Sequence, residues 1–201
     1  MIEVALHPAA AAAPERTSTG LPSRKLVFWA FLGSECMFFG SLIATYLVYH
    51  GRDTSGPRPH DILRIPLTSY SALLLLVSSL TMVLALSAVQ KGARRASLGW
   101  LAATALLGMH FLANQAYEFV QFVREGFTLQ TNLFSCSFYV LTGIHGTHVA
   151  LGVIWLWTLF VVALRGGLPK ERALDVEIAG LYWHFVDVVW IVIFTVVYLI
   201  Q

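Results

Sequence analysis

Near the end of the chain, Tyr182-Trp183-His184-Phe185-Val186-Asp187 sets an imidazole and a carboxyl group three residues apart. At helical spacing the two lie on one face and can share a proton or bind a polar group together. The residues around them are almost all apolar. An acid in lipid costs roughly 2.5–3.5 kcal/mol on insertion scales, so this pair must face protein, a lipid head group or a water pocket. Two readings follow: a hydrogen bond that fixes the imidazole, or a contact from Trp183, His184 and Asp187 to a lipid or a partner subunit. A second acid, Glu35, stands among Phe31, Phe38 and Phe39. It reads either as a protonatable site facing a cleft or as a neutral acid hydrogen-bonded to a neighbouring helix.

Metal chemistry needs a denser set of donors. His145 and His148 have the i, i+3 spacing that can chelate an ion, but they are half of a tetrahedral site. Only His110 and Glu118 stand as candidates to complete it. His110, Asn114 and Glu118 recur at steps of four and form a polar stripe, read first as interhelical hydrogen bonding. Thr142, Gly146 and Ala150 make a ridge of small residues on which another helix can come close. Cys36 and Cys136 read as small buried hydrophobes. No nucleophile motif and no phosphate loop is present, and no catalytic residue or metal site is expected.

The elements that must carry these residues are membrane-spanning helices. The chain has 201 residues, 57% hydrophobic and 12% charged, whereas a soluble domain has about 25% charged residues. The apolar residues form continuous blocks without the alternation of a barrel strand, so the fold class is all-α, a polytopic five-helix bundle. The spans are expected at about 25–49, 67–89, 97–119, 133–164 and 176–200, behind a disordered cytoplasmic tail over 1–24. The loop between the first two spans holds Gly51, Gly56, Pro57, Pro59 and Pro66. With the N-terminus inside and the C-terminus outside, nine Lys and Arg residues fall in inner segments against four in outer loops. The net charge of +2 is too small to suggest nucleic acid. No internal repeat supports a transporter.

Depth follows from a rise of about 1.5 Å per residue. Glu35 lies ten residues past Lys25, about 15 Å in and near the bilayer centre. His145 and His148 fall in the outer half, His184 in the inner half. This spacing sets His184 apart from the other two by about 10 Å or more, too far to share a haem.

Four segments together resemble one family. Ser34-Glu35-Cys36-Met37-Phe38-Phe39 is similar to a Ser-Glu-x-x-Phe-Phe segment, and Gln115-Ala116-Tyr117-Glu118-Phe119 to Gln-Ala-x-Glu-Tyr. Phe138 to Val149, with Thr142-Gly143-Ile144-His145-Gly146-Thr147-His148, resembles Phe-x-x-Thr-Gly-Phe-His-Gly-x-His-Val. Tyr182 to Trp190 resembles Tyr-Trp-His-Phe-Val-Asp-x-Val-Trp. The chain is thereby identified as resembling subunit III of the haem-copper terminal oxidases (cytochrome c oxidase subunit 3), in the short five-helix bacterial form that lacks two N-terminal helices of the longer one.

That resemblance implies an accessory subunit without haem or copper of its own, packed against redox subunit I, with subunit II and a small subunit IV in the same complex. Haem and copper belong to the partners. Glu35 corresponds to the family's membrane-embedded acid, which supports proton uptake. His145, His148 and His184 correspond to histidines associated with lipid and packing, and bound phospholipid is implied. The expected setting is aerobic respiration in a bacterial inner membrane, in a proton-pumping oxidase. Cytochrome c is the expected donor to the complex. A quinol oxidase or an accessory protein of nitric oxide reduction are the near alternatives. A stand-alone haem or metal enzyme using His110, His145 and His148, or a carrier coupled through Glu35 and Asp187, are the distant ones.

Overall fold

Long apolar runs without internal proline leave the backbone one way to satisfy its polar groups in lipid, the helix. The computed structural model describes residues 20, 22–50 and 65–200. It contains α1 (Ser23–Tyr49), α2 (Ile65–Gln90), α3 (Arg94–Arg124), α4 (Leu133–Leu164) and α5 (Ala173–Phe194), the last running on through a π-turn at Thr195–Leu199. All five are long and apolar enough to cross a membrane. Most of the expected tail and the loop after α1 lie outside the described residues.

The ends of the helices follow from local chemistry. Gly92 takes φ 71° in the short turn between α2 and α3, a left-handed conformation that suits glycine. Asn132 starts α4 with a reciprocal cap: its side chain accepts from the Ser135 backbone N–H at 2.7 Å, and Ser135 Oγ accepts from the Asn132 N–H at 3.0 Å. The third span was expected to end near Phe119. It runs to Arg124 because nothing breaks a helix when its apolar block ends, and Gly126 at φ 80° supplies the turn.

Sequential helices run antiparallel, so α1 and α5 run parallel and begin at the same end. There Arg24 pairs with Asp175 at 2.9 Å and Lys25 with Glu177 at 2.5 Å. Ser23 and Leu199 thus lie at opposite ends of the bundle. α2, α3, α4 and α5 form a ring in which each packs on the next and α5 returns to α2, while α1 rests on α4 and α5. Its exposed face carries Val27, Met37, Leu47 and Val48.

A row of polar contacts joins α2 to α3. Thr68 donates to Glu118 at 2.5 Å, Asn114 donates to Ser71 at 3.1 Å, and the hydroxyls of Thr81 and Thr104 meet at 2.8 Å. Interhelical bonds of this kind contribute about 0.6 kcal/mol each in membrane proteins. Thr81→Val is therefore expected to lower the stability of the detergent-solubilised chain by only about 0.6 kcal/mol. A much larger loss in a chemical unfolding titration would show that the pair is coupled to the rest of the row.

Packing is closest around Trp183. Its ring, 1% exposed, lies against two glycines. A Cβ on Gly108 would stand 2.6 Å from Trp183 Cη2, and one on Gly152 would stand 2.8 Å from Cζ3. The notch lets α3, α4 and α5 meet around one indole, whose Nε1–H donates to Ser78 of α2 at 2.9 Å.

Candidate functional site

Glu35 on α1 and His148 on α4 face each other where these antiparallel helices cross. Glu35 Oε2 lies 3.3 Å from His148 Nε2, with both side chains under a fifth exposed. The contact is close but not aligned as a hydrogen bond, and Glu35 Oε2 has no other partner. The other imidazole nitrogen settles the tautomer. His148 Nδ1 stands 2.9 Å from the Ile144 carbonyl oxygen, which can only accept. Nδ1 therefore carries a hydrogen and donates it to that carbonyl.

His145, one turn from His148, points the other way. It is fully buried. Its Nε2–H donates to the Val186 carbonyl at 3.2 Å, and its ring stacks on Trp190 at a centroid distance of 4.9 Å. Phe111 closes on both rings edge-on. This is interior packing among α3, α4 and α5, as for Trp183. His148 and His184 are half-buried.

His184 and Asp187 share a face of α5, as their spacing implies, and that face lies against α2. Ser79 Oγ hydrogen-bonds His184 Nδ1 at 2.6 Å, and either atom can be the donor. Asp187, 5% exposed, is turned into the bundle. Ser79 was missed at the sequence level, and its only signal was a serine pair, Ser78-Ser79, inside the apolar run of α2.

The polar stripe on α3 does not stay on one side. His110 is exposed, Asn114 intermediate and Glu118 3% exposed. Four residues turn about 40° past a full helical turn, so two such steps rotate the face by about 80°. Glu118 and Asn114 turn to α2, and His110 remains outside with its ring against Tyr70 at 5.8 Å.

The depth expected for His184 needs correction. Tyr182 O–H donates to the His148 carbonyl at 3.1 Å, while His145 reaches Val186. These two contacts bracket His184 and put it within about a turn of His148 in height. α4 extends beyond the apolar layer at its ends, so counting inward from Arg165 overstated the offset. What separates the histidines is direction: His148 faces α1, His145 the interior and His184 α2. Among the described residues no three His, Cys, Asp or Glu side chains group as a metal site.

Below the Glu35–His148 pair, an open and largely apolar groove of about 810 Å³ runs between α1, α4 and α5. Val27, Phe31, Leu151, Trp155 and Tyr182 line it, and Arg24 stands at its charged end. Its upper end reaches Tyr182, whose hydroxyl donates to the His148 carbonyl.

A five-helix bundle of membrane-spanning length whose polar side chains pair between helices defines a multi-pass integral membrane protein. The comparisons with known proteins agree. The family model for cytochrome c oxidase subunit III matches residues 20–201. Cytochrome c oxidase subunit 3 of Bacillus sp. (strain PS3) is 42% identical over 189 residues, covering 94% of this chain and 91% of that protein. Quinol oxidase subunit 3 of Bacillus subtilis (strain 168) is 40% identical over 174 residues, covering 87% and 85%. The cytochrome bo(3) ubiquinol oxidase subunit 3 of Pseudomonas putida is 40% identical over 175 residues, covering 87% and 84%. The chain belongs to the cytochrome c oxidase subunit III family, the accessory third subunit of the haem-copper oxidases.

Proposed function

We propose that this chain supports proton uptake by redox subunit I of a proton-pumping oxidase that reduces oxygen to water. In this reading it carries no redox centre. Haem and copper reside in the partner subunits, with subunit II and a small subunit IV completing the complex. The observation that carries the reading is the Glu35–His148 pair, an acid and an imidazole 3.3 Å apart on two apolar helices. The groove beneath it is a place for a phospholipid chain. The excess of Lys and Arg on one side supports an N-terminus in the cytoplasm of a bacterium, with the bundle in its plasma membrane.

Cytochrome c is the proposed donor to the complex. A quinol donor is the second reading, favoured by the quinol oxidase relatives. The donor preference and haem spectrum of the purified complex decide between them.

Glu35→Gln tests the proton role. An amide N–H can still donate to His148 Nε2, so packing is kept while the exchangeable acid is lost. The expected result is normal subunit content and an unchanged haem spectrum, with activity that decays faster during sustained turnover. In the native chain, a hydrophobic carbodiimide is expected to label Glu35 and a water-soluble one is not. Unchanged pumping and unchanged lifetime in the variant would remove the role given to Glu35.

A further inference from the structure

Three buried polar atoms stand around one junction of α3, α4 and α5: Gln115 Oε1, His145 Nδ1 and Trp190 Nε1. None of them has a hydrogen-bond partner among the described residues. Their side chains are 7%, 0% and 2% exposed, so the bilayer and bulk solvent reach none of the three atoms.

The contacts around them set all three at one height. His145 reaches the Val186 carbonyl. One turn further along α5 is Trp190, and one turn back along the antiparallel α4 are Leu141 and Thr142. Gln115 of α3 bonds this same turn of α4, its Nε2–H donating to the Thr142 carbonyl at 2.8 Å. Gly146 admits the amide, since a Cβ there would stand 2.9 Å from Gln115 Oε1. Phe111, one turn from Gln115, packs edge-on against the rings of both His145 and Trp190.

The three atoms have complementary chemistry. A carbonyl only accepts, so the Gln115 amide gives Thr142 an N–H and keeps Oε1 as an acceptor. His145 is fully buried and no carboxyl group bonds it, so its ring is neutral. Its Nε2–H goes to Val186, which leaves Nδ1 as a second acceptor. The indole N–H of Trp190 only donates. One donor and two acceptors therefore remain. Direct bonding among the side chains cannot satisfy them, because a single N–H leaves one acceptor bare. A water molecule accepts from the donor and has two hydrogens for the acceptors, the usual three bonds of a buried water.

We propose that one ordered water molecule is held between Gln115, His145 and Trp190 and ties α3, α4 and α5 together. The site belongs to the interior of the chain and stands apart from the role given to Glu35.

The test is a density map of the native chain in its purified complex, at a resolution that shows ordered water. A peak is expected at hydrogen-bond distance, about 2.7–3.2 Å, from all three atoms. Ordered waters elsewhere in the protein with none at this place would overturn the proposal, as would a direct bond from Trp190 Nε1 to Gln115 or His145. The map needs no variant to fold. A second measurement is the ultraviolet resonance Raman difference between the native chain and Trp190→Phe, which isolates one indole of six. A hydrogen-bonded indole N–H is expected, and a free one overturns the water. Gln115→Leu removes an acceptor and fills the site with apolar volume, so the Trp190 signal is expected to shift to the free form. An unchanged signal in that variant overturns the link through Gln115.

Discussion

Trp183→Ala is expected to destabilise the bundle by on the order of 3 kcal/mol. In lipid there is little transfer energy to lose, since the surrounding tails are as apolar as the protein interior. What disappears is contact. The indole fills the notch made by Gly108 and Gly152 and ties α5 to α2 through Ser78. Truncation leaves a void among four helices that glycines cannot refill. The opposite change is informative. Gly152→Val alone overpacks the notch and should cost about 1–3 kcal/mol, but in the Trp183→Ala background it should recover part of the loss. Chemical unfolding of the purified chain in mild detergent measures both, with Trp29→Ala as the control, since Trp29 is 49% exposed on the outer face of α1. Equal losses at Trp183 and Trp29 would show that the notch carries no special share of the packing.

Glu35→Leu and His148→Leu are each expected to destabilise the chain, and together to cost less than either alone. Removing one member of a buried pair leaves the other facing hydrocarbon unpaired, a loss of about 3 kcal/mol; replacing both by apolar groups of similar size is close to neutral. Both side chains are less than a fifth exposed, so water does not rescue the survivor. The coupling energy from the four chains of the double-mutant cycle is the quantity to measure. Simple addition of the two single losses would show that Glu35 and His148 act independently. The stability cycle reads the pair itself, whereas Glu35→Gln reads its use by the oxidase.

Five membrane helices and the family were legible from the residues. Helix formation in lipid is dictated by the backbone, and continuous apolar runs such as Leu73 to Val77 suffice to mark it. The acid among phenylalanines at Glu35 was equally visible, because a charged group in such a run stands out by type alone. Local spacing also put His184 and Asp187 on one face correctly.

Partners across helices were not legible. Nothing in the chain near Glu35 pointed to His148, 113 residues away, or near His184 to Ser79 as its partner. Steps of four made His110, Asn114 and Glu118 look equivalent, and only packing showed that the slow rotation of the stripe carries one outside and another inside. Heights counted from basic residues erred because helices of different length overrun the apolar layer by different amounts. Residue type and local period are properties of one segment, and the sequence by itself determined those. The register and facing of one helix against another depend on notches such as Gly108 and Gly152 meeting Trp183, and only the tertiary structure decided them.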